Sequence, residues 1–231
     1  MVIPSRTSRF IIAIDGPSGA GKSTVARTLA KHLHYVYIDT GAMYRAVALR
    51  AKERGVSEAD EEALARLAAS LRITFAAASE VPRVLCDGED VTEAIRSPEI
   101  SLLASDISQK SGVRKALVDM QRKMGRQGGV VLEGRDIGTV VFPRAEIKFY
   151  LDASPGERAR RRFEELRRKG LAVRFEETLE EVIQRDRNDM SRSISPLKKA
   201  EDAILIDSTD LTVEQVVEIM AQGVMKREGT G

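Results

Sequence analysis

Residues Gly16-Pro17-Ser18-Gly19-Ala20-Gly21-Lys22-Ser23-Thr24 carry the spacing G-x-x-x-x-G-K-[ST] of a phosphate-binding loop. The chemistry follows from the residue types. Glycines let backbone N–H groups converge on phosphate oxygens without Cβ clashes. A helix starting at the lysine adds a dipole that favours anions. Lys22 would reach the β- and γ-phosphates of a nucleoside triphosphate, and the Ser23 hydroxyl would hold Mg²⁺. The loop predicts nucleotide binding and leaves open what accepts the phosphate.

Arginine marks the other candidates, because its planar fork suits two-point capture of phosphate or carboxylate. One group is Asp39-Thr40-Gly41-Ala42-Met43-Tyr44-Arg45, with Thr40 and Tyr44 four apart on a helix. A second is Glu133-Gly134-Arg135-Asp136, directly after an apolar run. A third is Arg185, Asp189 and Arg192, whose spacings of four and seven share a helical face; Arg187 lies on another. A fourth is the basic run from Arg158 to Lys169, in which Arg158, Arg161 and Arg162 share a face. It suits a mobile lid that closes on transferring phosphates. Each group also has a plainer reading: a capped helix with a surface arginine, an Arg135–Asp136 ion pair, or a solvated charged face. Asp39 or Asp136 could instead aim a carboxylate at a hydroxyl acceptor, as a shikimate or sugar kinase requires.

These residues must be positioned by a frame. Short apolar runs at 10–14, 35–38, 129–132, 147–151 and 203–206 read as buried strands. Helical patterns fall at 22–34, 40–54, 60–71, 157–169, 176–192 and 213–226, with more helix up to residue 127. Gly55 reads as a helix stop. Alternation of this kind predicts a parallel sheet covered on both faces, with ligands beyond the strands' carboxyl ends. Runs at 72–75 and 83–86 with an Asp87-Gly88 turn predict a small antiparallel insertion.

Composition narrows the classes. The chain has 231 residues, 42% hydrophobic and 31% charged, which excludes disorder, collagen and coiled coil as descriptions of the whole. One cysteine and two histidines argue against a disulfide framework and a Cys- or His-based metal centre. Cys86 reads as a small buried apolar residue. The longest N-terminal apolar run, 10–14, is too short for a signal or a membrane helix. A cytoplasmic protein with no membrane partner is expected. A net charge of +2 and no aromatic platform in the basic helix argue against a nucleic-acid partner. No Asn-Lys-x-Asp segment occurs, so a guanine-reading switch is disfavoured. No long apolar stripe stands out, so a monomer is expected.

Taken together, GPSGAGKST, YIDTGAMYR, LEGRDIG and RDRNDMSR, in this order and spacing, resemble the bacterial cytidylate kinases over about residues 11–224. The resemblance implies an α/β three-layer P-loop kinase fold with a parallel central sheet, a small antiparallel β insertion and a helical lid. It implies one domain at 10–231, with a core at about 10–70 and 105–227. The monophosphate-binding insertion would span about 71–104 and the lid about 154–172, after an N-terminal extension at 1–9. It implies transfer of the ATP γ-phosphoryl group to CMP or dCMP with Mg²⁺. Gly16 to Thr24 would hold ATP. Arg45, Arg135 and Arg192 would hold the CMP phosphate, with Thr40 and Tyr44 nearby. Ser105, Arg114 and Asp136 would read cytosine, and Arg185 and Asp189 would contact the sugar. Lys22, Arg135, Arg192 and the lid residues Arg158 and Arg162 would serve the transfer itself.

Overall fold

The computed structural model describes residues 9–76 and 82–229. Most of the expected N-terminal extension, residues 77–81 of the expected insertion and the last two residues lie outside that range. Along the chain run β1 (Ile11–Asp15), α1 (Lys22–Leu33), β2 (Val36–Asp39), α2 (Thr40–Glu53), α3 (Glu61–Ser70), β3 (Ile73–Ala76), β4 (Arg83–Cys86) and β5 (Glu89–Asp90). Then come α4 (Pro98–Ile107), α5 (Ser111–Gly125), β6 (Val130–Gly134), β7 (Ile147–Asp152), α6 (Pro155–Arg168), α7 (Phe175–Ser191), β8 (Ile204–Asp207) and α8 (Val213–Glu228). A 3-10 turn at Ala94–Arg96 precedes α4, and a π-type turn at Ile137–Val141 follows β6. The chain divides into two compact units, 1–35 with 128–231, and 36–127.

In the first unit the strand order β6-β1-β7-β8 is parallel throughout. Ile12, Ala13 and Ile14 of β1 are fully buried, as are Leu132 of β6 and Leu151 of β7. Strands apolar on both faces belong in a sheet covered on both sides. Helices α1 and α8 pack on each other, α1 on β6 and α8 on β7, while α6 lies on α7. The register pairs Asp15 with Gly134 and Asp15 with Tyr150. The loops that leave β1 and β6 therefore start side by side.

In the second unit β3, β4 and β5 form an antiparallel sheet. Asp87 and Gly88 both take positive φ, as a two-residue hairpin turn demands. Cys86 is fully buried, and burial pushes its thiol up. The unit is wider than the expected insertion at 71–104. It also takes in α2 to α5, because α3 packs on α5 and α2 on α4. Arg50 of α2 ties these parts together, donating to Glu53, Glu89 and the Cys86 carbonyl. Among the described residues no helix is long and apolar enough to cross a membrane.

Candidate active site

The phosphate loop joins β1 to α1. Side chains cap α2, α3, α4, α6 and α8, through Asp39, Asp60, Ser97, Ser154 and Thr212. Helix α1 has Gly21 at that position in a left-handed conformation and no side-chain cap. Helices α5 and α7 also lack a side-chain cap, but only α1 follows a phosphate-loop sequence whose backbone amides suit an anion. Ala20 and Lys22 are buried, while Ser23 and Thr24 are exposed. Lys22 Nζ donates to the Pro17 carbonyl at 2.7 Å. Burial, with Arg135 beside it, pushes the Lys22 ammonium down to about 7, against the pull of Glu133, Asp189 and Asp15.

Arg135 stands one residue beyond β6. Its Nε donates to Asp189 Oδ2 at 2.7 Å, and its terminal nitrogens make one long contact, to the Gly134 carbonyl at 3.4 Å. Arg192 caps the end of α7 and pairs with Asp189 Oδ1. Asp189 is buried. Burial opposes its charge, but Arg135, Arg192 and Arg185 hold its carboxyl below the usual range. Lys22, Arg135, Asp189 and Arg192 thus form one electrostatic cluster in the first unit. Asp136, also buried, follows at the head of the π-type turn. Arg135 pairs with Asp189 of α7 rather than with its neighbour Asp136. The adjacent-pair reading of that dipeptide is set aside.

Arg158, expected in the lid, lies on α6. It is buried, and both terminal nitrogens grip Asp186 of α7, at 3.0 and 2.6 Å. Its Nε donates to the Ala153 carbonyl and its Nη1 to the Ser18 carbonyl of the phosphate loop. A Cβ on Gly19 would sit 3.0 Å from Arg158 Cβ, so only glycine lets α6 approach this closely. Arg158 braces the loop. Arg162, half-buried, pairs with Glu165 of its own helix. Arg161, singled out only for its face of the helix, donates to Ser208 and to the Ala20 carbonyl of the loop. Its spacing of three from Arg158 was the available signal.

The second unit holds the remaining candidates. Thr40 opens α2 and is buried. Asp39 caps that helix through Ala42 N–H and pairs with Arg45 at 2.9 Å. That use leaves Asp39 poorly suited to act as a base. Arg45 Nε is buried without a hydrogen-bond partner. The Arg114 guanidinium lies over the Tyr44 ring, 5.6 Å from its centre, and donates to the Ser108 carbonyl. Ser105, on α4, is half-buried.

The chain matches the family model described as Cytidylate kinase over residues 12–226. It belongs to the cytidylate kinase family. A cytidylate kinase of Geobacter sp. (strain M21) is 56% identical over 226 residues, covering 98% of this chain and 97% of the relative. One from Caldicellulosiruptor bescii is 50% identical, covering 90% and 92%. A shikimate kinase structure from Bacteroides thetaiotaomicron is 14% identical with a TM-score of 0.51, covering 94% of this chain and 99% of its own. At that identity it supports the P-loop kinase fold alone. Cytidylate kinase membership carries phosphoryl transfer from a nucleotide with it.

Proposed function

We infer that this chain transfers the γ-phosphoryl group of ATP to CMP or dCMP, giving ADP and CDP or dCDP. The observation that carries the reading is the register of β1 with β6. It sets the phosphate loop beside Arg135 in a chain of cytidylate kinase sequence. The acceptor brings its own nucleophile, since the second phosphate pKa is about 6 and the oxygens are mostly ionised at neutral pH. No general base is required. The protein's task is to bring two polyanions together and offset their repulsion.

The loop N–H groups and Lys22 hold the donor phosphates. Arg135 and Arg192, both oriented by Asp189, present guanidinium groups to the acceptor phosphate. Arg45, partly exposed, supplies a further guanidinium for an anion in the second unit. The buried Asp136 carboxylate accepts from the cytosine N4 amino group, where uracil would place an oxygen. Arg185, Asp189, Ser105 and Arg114 are assigned to the nucleoside on the same resemblance. Arg158 serves by bracing Ser18, and Arg162 is the basic side chain of α6 with the lighter internal commitment.

Mg²⁺ fits this donor set. Ser23 is exposed at the start of α1, and no hydrogen bond of its hydroxyl forms among the described residues. Among those residues no cluster of His, Cys, Asp or Glu forms a metal cage of its own. An ion held by one hydroxyl and the nucleotide's phosphates is the arrangement such a site supports. The metal would neutralise charge on the β- and γ-phosphates.

The test is ADP release from ATP·Mg²⁺ with CMP, dCMP, UMP, AMP, GMP or no acceptor. Turnover confined to CMP and dCMP is expected. Equal turnover with UMP would remove the Asp136 account of base choice. No acceptor-dependent turnover would remove the whole reading.

A further inference from the structure

Asp15 is the last residue of β1 and directly precedes Gly16 of the phosphate loop. It is buried. Both of its carboxylate oxygens accept backbone amides. Oδ1 accepts the Ile137 N–H at 2.8 Å, and Oδ2 accepts the Gly138 N–H at 2.7 Å. Those two N–H groups open the π-type turn after β6, and leading N–H groups of such a turn need acceptors. The residue placed to cap it is Asp136, yet its side chain makes no capping bond. The neighbouring strand supplies the cap instead.

The consequence is positional. The Asp136 carbonyl accepts from Val140 and Val141, at 2.9 and 3.1 Å. Asp15 holds the next two amides. The peptide that follows Asp136 is therefore held from both ends, its carbonyl by Val140 and Val141 and its N–H by Asp15, and the Asp136 side chain does not cap the turn. Gly138 is part of the same device: a Cβ there would sit 3.3 Å from Asp15 Oδ2 and 3.1 Å from Lys148 Cδ. Burial pushes the Asp15 carboxyl up to about 6, with Asp136 adding to it, against the two N–H bonds and Lys22. A leucine or valine at this core position would bury more simply. A carboxylate is warranted by the two amides it satisfies.

We propose that Asp15 is a positioning residue for the acceptor side of the reaction: its carboxylate locks the Arg135–Asp136 segment in register with the strand that launches the phosphate loop. The proposal rests on the reading of Arg135 and Asp136 as acceptor-binding groups. In Asp15→Asn one amide N–H would face an NH₂ donor, so one of the two bonds is lost and the segment shifts.

Steady-state kinetics of the full chain with CMP and ATP varied separately test this, with amide proton shifts of Ile137 and Gly138 as a structural readout. For Asp15→Asn the expected result is a rise of about tenfold or more in KM for CMP, the scale of one lost charge-assisted bond. KM for ATP should rise less than KM for CMP, because Asp15 is the weakest of the three carboxylates that pull on Lys22. The amide signals of Ile137 and Gly138 should move upfield as their bonds to the side chain weaken. Equal rises in both KM values, or no rise, would overturn the proposal. Gly138→Ala, which crowds the same carboxylate without touching the phosphate loop, should shift KM in the same direction. If Asp15→Asn does not fold, Gly138→Ala decides, through its KM for CMP and the Ile137 and Gly138 amide signals. If the wild type fails to phosphorylate CMP, the functional reading falls, while the amide signals still report whether the lock exists.

Discussion

Two carboxylates three residues apart on α7 are used in opposite ways. Asp186 is gripped by one arginine, Arg158, through two parallel hydrogen bonds. The rest of that guanidinium is turned to backbone carbonyls, Ala153 and Ser18. Asp189 is shared by two arginines, Arg135 and Arg192, each taking one oxygen. Arg135 keeps terminal N–H groups with only one long internal contact. The first pair is closed and the second is open. A closed pair holds parts together; an open one holds charge ready for a ligand. A buried ion pair alone is weak evidence of either role, so the distinction lies in where the leftover donors go.

The largest effect should come from breaking the closed pair. Arg158→Ala leaves Asp186 buried without its counter-ion and releases Ser18, and should destabilise the fold by about 3–5 kcal/mol. Chemical denaturation measures this. A change below about 1 kcal/mol would mean the pair is no brace.

Next comes a substitution that keeps the charge of the open pair and loses its shape. Arg135→Lys supplies a point charge that cannot hold Asp189 and a ligand oxygen together. Turnover of CMP at saturating ATP should drop roughly tenfold, with stability little changed. A stability loss as large as that of Arg158→Ala would erase the contrast.

The pH dependence of ATP binding sharpens it further. A bound polyphosphate raises the Lys22 pKa from about 7, so binding takes up a proton. Below pH 7 the ammonium is already formed and affinity stays flat. As pH rises above 7, affinity should fall, by at most about tenfold per unit for one proton. Calorimetry in buffers of different ionisation enthalpy would detect the uptake near pH 7.5. Its absence would place Lys22 outside the coupling.

The smallest effect is expected at half-buried Arg162, midway along α6. Arg162 pairs with Glu165 on the surface of its own helix. Arg162→Ala should change stability by less than about 1 kcal/mol. A loss like that of Arg158→Ala would show that α6 braces the loop along its whole face.

The two pairs were not equally legible in the sequence. Phosphate loop, strand alternation, hairpin turn and helix ends all rest on neighbours within a few residues, so local spacing reveals them. Arg185, Asp189 and Arg192 share a helical face for the same reason. Asp186 falls inside that run, yet its partner lies 28 residues away, and no spacing rule links them. Asp15 is further still from the amides it holds, 122 and 123 residues along the chain. A lone aspartate after an apolar run carries no signal for such a bond. The contacts of Arg158 with Asp186 and Ser18 are not legible in the sequence, because periodicity assigns a face and not a depth. The second unit's reach beyond residues 71–104 depends on helix packing, which composition does not encode.

Arg192→Ala tests the contrast most directly, with turnover of CMP and the denaturation midpoint measured on the same sample. Asp189 would keep Arg135, so no carboxylate is left without a cation. The account predicts that turnover falls about 10²–10³-fold, the scale of a lost transition-state donor. The midpoint should stay close to that of the wild type. A lowered midpoint with turnover preserved in the folded fraction would contradict it, and would make Asp189 a second brace like Asp186.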